Sequence, residues 1–480
     1  MTYEPVIGLE IHVELLTATK LFCGCLTGFG AQPNSQCCPV CLGLPGALPV
    51  LNRRAVEFAV MAGLALGCRI HTRSKFDRKN YFYPDLPKAY QISQFDLPFC
   101  VDGAVSFELD GGPSEAGITR VHLEEEAGKS VHSGDSILGS TYSSIDYNRS
   151  GIPLIEIVTE PDLRSPEAAK AFLEQLRTTL QYTGVSDCKM QEGSLRCDAN
   201  VSLRPVGQEP FGTKVEVKNM NSFRAVERAL AYEIHRQTGV LTGGDTVSQE
   251  TRAWDEARGV TVSMRSKEES HDYRYFPEPD LMPVTMEAPW IEGLRARLPE
   301  LPLARKRRFC RDFSLSHDEA YQLTQSRETA DFFEAAAALH PSPKAVSNWI
   351  NGELARLLNE AGVAITASPV TPEMLSKLLD YVKAGTISST AAKDVLEDMF
   401  VTKRSAELVI KEKGLEQISD SDAIGSVVQA IIEAHPEEAA AFRAGKDKVL
   451  GFFVGQVMRE MRGKANPQVV NELLRQKLRN

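Results

Sequence analysis

No stretch of the 480 residues approaches the roughly 20 consecutive apolar positions that a membrane-crossing helix needs. The longest apolar run, VEFAVMAGLALGC, is shorter and carries Glu57. The opening MTYEPVIGLE lacks a basic start followed by an apolar stretch and a small-residue cleavage site, so no secretory leader is expected. Solenoid repeats and low-complexity tracts are also missing. So are the familiar nucleotide and metalloprotease signatures. AGKS at 127 to 130 ends like a Walker A loop, but the required first glycine would fall at Leu123; neither G-x-G-x-x-G nor H-E-x-x-H occurs. An ATP site here would belong to a less common fold. Positive charge is in deficit, 54 Lys and Arg against 64 Asp and Glu, and the net charge of −10 argues against non-specific nucleic-acid binding by the whole surface. With 42% hydrophobic and 25% charged residues the composition is ordinary globular. The expectation is a soluble, cytoplasmic chain of about three domains.

Cysteine is present but unevenly spread: five of the ten, Cys23, Cys25, Cys37, Cys38 and Cys41, fall between residues 23 and 41. In a compartment that keeps thiols reduced, such crowding favours metal or chemistry over disulfides. Two short pairs, Cys23-Gly-Cys25 and Cys38-Pro-Val-Cys41, separated by a loop can fold four thiolates around one tetrahedral zinc ion, leaving Cys37 spare. Four protein ligands leave no open position, so such a zinc would be structural. The competing reading is that these are small buried hydrophobes.

Up to about residue 290 the chain reads as strands and loops with a few helices. IGLEIHVELL, VSFEL, ITRVHLEE, SLRCDANVSLR and TKVEVK alternate, with turn chemistry between them. Helical periodicity marks NRRAVEFAVMAGLALG, SPEAAKAFLEQLRTTLQYTG and SFRAVERALAYEIHRQTG, the last two with glycine stops. Strands and helices do not alternate one for one, which predicts an α+β fold with a largely antiparallel sheet. After Pro283 the texture becomes helical: IEGLRARLPELPLARKRRF, DEAYQLTQSRETADFFEAAAALH, PKAVSNWINGELARLLNEAG and later segments. Three units are expected: a sheet-containing body over 1–293, an all-α middle over 294–405 and an all-α tail over 406–480.

Strand parity gathers the chemistry. Along IGLEIHVELL, Ile7, Leu9, Ile11, Val13 and Leu15 share one face, while Glu10, His12 and Glu14 share the other, neighbours roughly 7 Å apart. Alone, that could be a solvated face. In GITRVHLEEEAGKS, Glu125 falls with Val121 and Leu123, opposite His122, Glu124 and Glu126. A carboxylate on an apolar face needs a partner, a metal or a lysine. SLRCDANVSLR places Arg196, Asp198, Asn200, Ser202 and Arg204 together, and TKVEVK adds Lys214, Glu216 and Lys218. If these strands are neighbours, one sheet face carries oxygen ligands for Mg²⁺ together with the cations that phosphoryl transfer needs. Two loops, SKFDRKNYFYPDLPKAYQISQ and HDYRYFPEPDL, mix basic and aromatic residues in a way that suits phosphate contact and base stacking. From Lys446 onward eight Lys or Arg stand against three Asp or Glu, which makes the tail the better nucleic-acid candidate.

Long segments, among them VIGLEIHVEL, SKFDRKNYFYPDLPKAYQISQFD, GITRVHLEEEAGKS, IDYNRSGIPLIEIVTEPD and YTGVSDCKMQEGSLRCDANVSLRP, closely resemble the GatB family. These are the B subunits of bacterial aspartyl/glutamyl-tRNA amidotransferases, and the likeness runs nearly end to end. It implies a cradle like the glutamine synthetase/guanido kinase fold, followed by a helical domain and a tRNA-contacting tail. It implies ATP and Mg²⁺, a glutaminase partner (the A subunit), a small C subunit, and Glu-tRNA(Gln) or Asp-tRNA(Asn) as substrate. Glu10, His12 and Glu125 map onto metal positions, with Glu125 also at the mouth of an ammonia channel. Lys79 and Lys88 match lysines of the channel and the active-site loop. Glu124, Asp198 and Asn200 join the expected magnesium set, and Arg196 joins Glu125, Lys79 and Lys88 in the catalytic set. Lys464, Arg475 and Lys477 are the expected tRNA contacts, and Cys23, Cys25, Cys38 and Cys41 match a zinc-bearing branch. The rival from another class is a zinc-knuckle tRNA-binding scaffold whose polar strand face is merely solvated.

Overall fold

The computed structural model describes residues 2–133, 142–264, 273–417, 421–461 and 465–479. The chain divides into two compact units, Met1–Ala304 and Arg305–Asn480. No helix among the described residues is long and apolar enough to cross a membrane.

The first unit is built on a nine-stranded sheet. Its strands, in chain order, are β1 (Tyr3–Glu14), β2 (Arg69–Ile70), β3 (Cys100–Leu109), β4 (Gly112–Glu125), β5 (Pro153–Thr159), β6 (Leu195–Pro205), β7 (Val215–Lys218), β8 (Glu250–Asp255) and β9 (Val260–Ser263). They lie in the order β9-β8-β7-β6-β1-β5-β4-β3-β2. All pairs are antiparallel except β7 with β8, which run parallel and are joined by a helical crossover. The fold is α+β with a large mixed sheet, and the predicted antiparallel character holds everywhere but that pair.

β1 is the keel. Its alternation buries Ile7, Leu9, Ile11 and Val13 at 1% exposure or less, in one core with α1 (Arg53–Ala65), α2 (Pro166–Thr183) and α3 (Phe223–Thr242). Side-chain caps from Asn52, Ser165 and Ser222 start these helices. α2 stops at Gly184 with φ 70°, as its sequence suggested. α3, however, runs past Gly239 to Thr242 and is capped by Gly243, because an interior glycine costs a helix only about 1 kcal/mol. With helices filling one face, the other face of the central strands is left for polar side chains. A smaller sheet of Asp77–Asn80, Tyr90–Ser93 and Phe276–Pro277 joins the two basic-aromatic loops into a second wall.

The second unit is helical and contains two hydrophobic cores, one from Phe309 to Ile410 and one from Ile424 to Leu478. Ala406, Val409 and Ile410, on the helix Ala406–Lys413, belong to the first. Two segments that read as single helices are broken by local chemistry. Proline at 302 opens Pro302–Phe313 after Ala288–Arg295, and Ser326 caps a fresh helix at Arg327. Ile350–Leu354 is a π-helical turn between Pro343–Trp349 and Ala355–Ala361.

Candidate functional site

The site is a row laid across the sheet. His12 on β1 stands directly opposite Glu156 on β5 and Arg196 on β6, and Glu156 in turn stands opposite His122 on β4. Directly opposed residues have Cβ atoms about 5 Å apart, so antiparallel register alone brings four functional groups into line. One pleat repeat along β1, Glu10 opposes Asp198. The row floors a cleft of about 690 Å³ that is also lined by Lys79, Tyr81, Phe95, Arg120, Glu124, Glu126, Lys218, Tyr273 and Tyr275.

Two groups of potential metal ligands share one carboxylate. One ligand atom from each of Glu10, His12 and Glu156 lies within 4.8 Å of the others, and the same holds for His122, Glu124 and Glu156. Glu156 Oε2 is 3.4 Å from His12 Nε2 and 3.5 Å from His122 Nε2. His122 Nε2 is also 3.2 Å from Glu124 Oε2, which accepts a hydrogen bond from Ser93 Oγ at 2.8 Å. His122, Glu124 and Glu156 are all nearly sealed from solvent, and His122 Nδ1 has no partner among the described residues. Burying three such groups is costly unless charge of opposite sign is close.

The electrostatics follow from that crowding. Burial works against the His12 cation, but the hydrogen bond to Glu156 and the charges of Glu124, Glu156 and Glu10 outweigh it and raise His12 to about 9. Burial pushes Glu156 up, yet His122, His12 and Lys79 hold it below the ordinary carboxylate range. Glu124 is likewise held down against burial, chiefly by His122. Glu10, facing burial and the charge of Glu156, is raised. Lys79 stays above its ordinary value despite burial because Glu124 leads a set of anionic neighbours. Its Nζ sits 4.8 Å from the Tyr273 ring centre.

Of the expected magnesium ligands, Glu10, His12 and Glu124 thus come together. Asp198 lies in the cleft, its carboxylate accepting from Lys218 Nζ at 2.6 Å. Asn200 stands opposite Gly8 and Glu216, of which Glu216 lines the cleft. Glu125 does not join Glu10 and His12: the pleat turns it to the other side, where Lys88 Nζ and the Ile92 N–H donate to its Oε1. Of the two partners expected for a carboxylate there, the structure supplies the lysine. Arg196 spends one guanidinium nitrogen on Glu126, while its Nη1 is buried without a partner among the described residues. Arg475 is exposed on the helix Pro467–Arg479, Lys477 donates to Gly425 O at 3.0 Å, and Lys464 lies outside the described residues. Glu156 and His122 were not picked out as ligands from sequence. The available signal was one glutamate inside the apolar run PLIEIVT, a residue that a buried strand tolerates only beside a cation.

No disulfide links any of the ten cysteines. Cys23, Cys25, Cys38 and Cys41 each bring a sulfur within 4.8 Å of the others, and Cys38 and Cys41 Sγ are 3.9 Å apart. Tetrahedral thiolates about 2.3 Å from zinc would be about 3.8 Å from one another, so the donor set fits that ion. Cys37 stands aside, near Asn148 Oδ1. Lys20, fully buried, places Nζ 3.7 Å from Cys41 Sγ and 3.1 Å from Tyr147 O, an internal counter-charge for thiolates. The knuckle also abuts the Lys88 and Glu125 pair: all line one small cavity, and a Cβ on Gly43 would fall 2.3 Å from Lys88 Cγ.

Residues 5–292 match the family model described as the GatB/GatE catalytic domain, and residues 331–478 match the one described as the GatB domain. The chain is 57% identical over 476 residues to the B subunit of the aspartyl/glutamyl-tRNA(Asn/Gln) amidotransferase of Carboxydothermus hydrogenoformans, covering 99% of each. It is 56% identical over 478 residues, the full length of both, to the protein of that name from Caldanaerobacter subterraneus subsp. tengcongensis, and 53% identical over 478 residues to that of Geotalea uraniireducens. Matches of this extent and identity, spanning both units, mean that the chain belongs to the GatB family.

Proposed function

We infer that the chain is the B subunit of a glutamine-hydrolysing aminoacyl-tRNA amidotransferase. It converts Glu-tRNA(Gln) or Asp-tRNA(Asn) into Gln-tRNA(Gln) or Asn-tRNA(Asn). More than half of its residues are shared, end to end, with proteins named for that activity. The observation that carries the mechanism is the row His12, Glu156 and His122, three facing side chains on adjacent strands.

A free carboxylate is a poor electrophile, so the reaction needs two displacements. In the first, an oxygen of the substrate side chain attacks the γ-phosphorus of ATP and the bond to the β-phosphate oxygen breaks, releasing ADP. In the second, ammonia attacks the acyl carbon and inorganic phosphate leaves. Glu10, His12, Glu156, His122 and Glu124 are the residues that would hold Mg²⁺, whose contribution when bound is to neutralise charge on the phosphate oxygens. Lys79 supplies a fixed positive charge beside that group, and its contact with Tyr273 holds it over the cleft. Arg196, docked on Glu126, keeps Nη1 for an incoming anion. The Lys88 and Glu125 pair, on the other side of the pleat, is suited to supplying the second step: Glu125 would take a proton from ammonium there, before neutral ammonia reaches the acyl carbon in the cleft. Asp198, with Lys218, completes the polar wall. Burial of His122, Glu124 and Glu156 speaks against a merely solvated face, and so against the scaffold reading.

The antiparallel cradle with helices on one face is compatible with the glutamine synthetase/guanido kinase fold. We assign residues 1–293 to catalysis, 294–405 to a helical domain and 406–480 to tRNA contact, with Lys464, Arg475 and Lys477 as phosphate partners. Belonging to a family of B subunits, the chain works in an assembly. The proposed partners are a glutaminase, the A subunit, and a small C subunit; a structural zinc ion is the proposed occupant of the thiol cluster, and the cytoplasm the proposed location. In the assembled complex, misacylated tRNA should stimulate ADP release. Glu156→Gln should lower that rate at least about a hundredfold while tRNA binding persists, a loss of about 2.7 kcal/mol in transition-state stabilisation. A Glu156→Gln complex that releases ADP at the wild-type rate would refute the assignment.

A further inference from the structure

The acidic row accounts for phosphate and metal but leaves the facing wall of the cleft unexplained. That wall carries Tyr81, Phe95, Tyr273 and Tyr275. Phe95 and Tyr275 are stacked in parallel, centroids 4.3 Å apart and planes 9° from one another. Tyr273 turns its edge to Tyr275 at 6.1 Å and to Tyr81 at 5.9 Å, bracing the pair from one side. Phe95 is anchored through its backbone, whose N–H donates to Asp77 Oδ2 at 3.1 Å, yet the residue is 58% exposed. The outer face of Phe95, opening into a cleft lined largely by charged and polar side chains, adds no apolar burial in the free protein. A flat, parallel ring pair presents a π-face, which suits a planar heteroaromatic ring better than an acidic side chain. Burial raises the Tyr275 hydroxyl to about 12, and Glu124 and Glu156 both act on it, which puts the ring pair beside the metal-binding row.

We propose that Phe95 and Tyr275 form the stacking platform for an adenine ring whose phosphate is directed toward Lys79 and the acidic row. This rests on the reaction inferred above, in which adenine reaches the cleft from two sources: ATP, and the terminal adenosine of the aminoacylated tRNA. The chemistry recognised is the same, and the experiment separates them.

The test is steady-state ADP release by the assembled complex, with ATP and misacylated tRNA varied in turn, for wild type, Phe95→Ala and Phe95→Trp. Base stacking on an aromatic side chain is worth about five- to a hundredfold in affinity by alanine substitution. Phe95→Ala should therefore raise one KM by about that factor with kcat little changed, and Phe95→Trp should restore it. A rise for ATP alone assigns the platform to the nucleotide base; a rise for tRNA alone assigns it to the terminal adenosine. Unchanged KM values, equal rises in both, or a fall in kcat alone would overturn the proposal. So would failure of Phe95→Trp to restore the KM. Wild-type complex that released no ADP would instead sink the kinase reading, so the two failures are distinguishable.

Discussion

In the metal-free cleft His12 keeps its proton at neutral pH, because its hydrogen bond to Glu156 and the charges of Glu124, Glu156 and Glu10 overcome burial and raise it to about 9. A divalent ion takes an imidazole only in its neutral form, so binding at His12 must displace that proton. At pH 7, about two units below the titration point, apparent metal affinity should be about a hundredfold weaker than above pH 9, or about 2.7 kcal/mol. Across the window from about 6.5 to 8.5 it should strengthen about tenfold per pH unit. The same proton acts on the fold with the opposite sense. Because the folded value lies above the unfolded one, the charge stabilises the metal-free protein fully below about pH 6.5, and that contribution is lost as pH rises through about 9. Calorimetric titration with Mn²⁺ in two buffers of different protonation enthalpy reads both the affinity and the protons released. His12→Gln should abolish the pH slope. An affinity that stays flat across the window, with no proton release, would refute both the protonation state and the ligand role of His12.

Glu125→Gln should leave ADP release near wild type and lower amide formation at least about tenfold, about 1.4 kcal/mol, because Glu125 faces Lys88 rather than the metal-binding row. Equal loss of both products would refute that separation. Purified protein should contain zinc; Cys38→Ser or a strong chelator should lower the melting temperature, and a melt indifferent to chelator would exclude a structural ion. Gly43→Ala, forced to φ +65° against Lys88, should cost about 1–3 kcal/mol by denaturant melt; a neutral result would show that the knuckle does not bear on Lys88. Arg475→Ala should weaken tRNA binding evenly across sequences and reduce the salt slope by about one, whereas Lys477→Ala should do less because its ammonium is held by Gly425 O. Equal effects would contradict that distinction.

Strand parity proved a sound guide within each strand. Ile7, Leu9, Ile11 and Val13 are core, Glu10 and His12 face the cleft, and Glu125 was already separated from His122 and Glu124. Parity says nothing about which strands become neighbours, and the site depends on that. β5 slots between β1 and β4, inserting Glu156 between two histidines that lie 110 positions apart in the chain. Its segment, PLIEIVT, is an apolar run without alternation, so no polar face marks its one glutamate as a ligand. Asn200 was grouped with Asp198 by the same parity, and strand register sets it between Gly8 on β1 and the cleft-lining Glu216 on β7. The thiol cluster needed no long-range information, since all four sulfurs come from one short segment. Helix existence was legible from periodicity, and helix breaks were not: the side-chain cap at Ser326 and the helix start at Pro302 lie within stretches that a continuous apolar stripe conceals.

The central claim is that groups from three neighbouring strands hold divalent metal through a shared carboxylate. Crystals of the assembled complex soaked in Mn²⁺, measured at the manganese absorption edge, test it most directly. An anomalous peak within about 2.3 Å of Glu156 and of either His12 or His122 is the expected result. Cleft density with no such peak at saturating Mn²⁺ and pH 9, or a peak bound instead at Glu125, would contradict it.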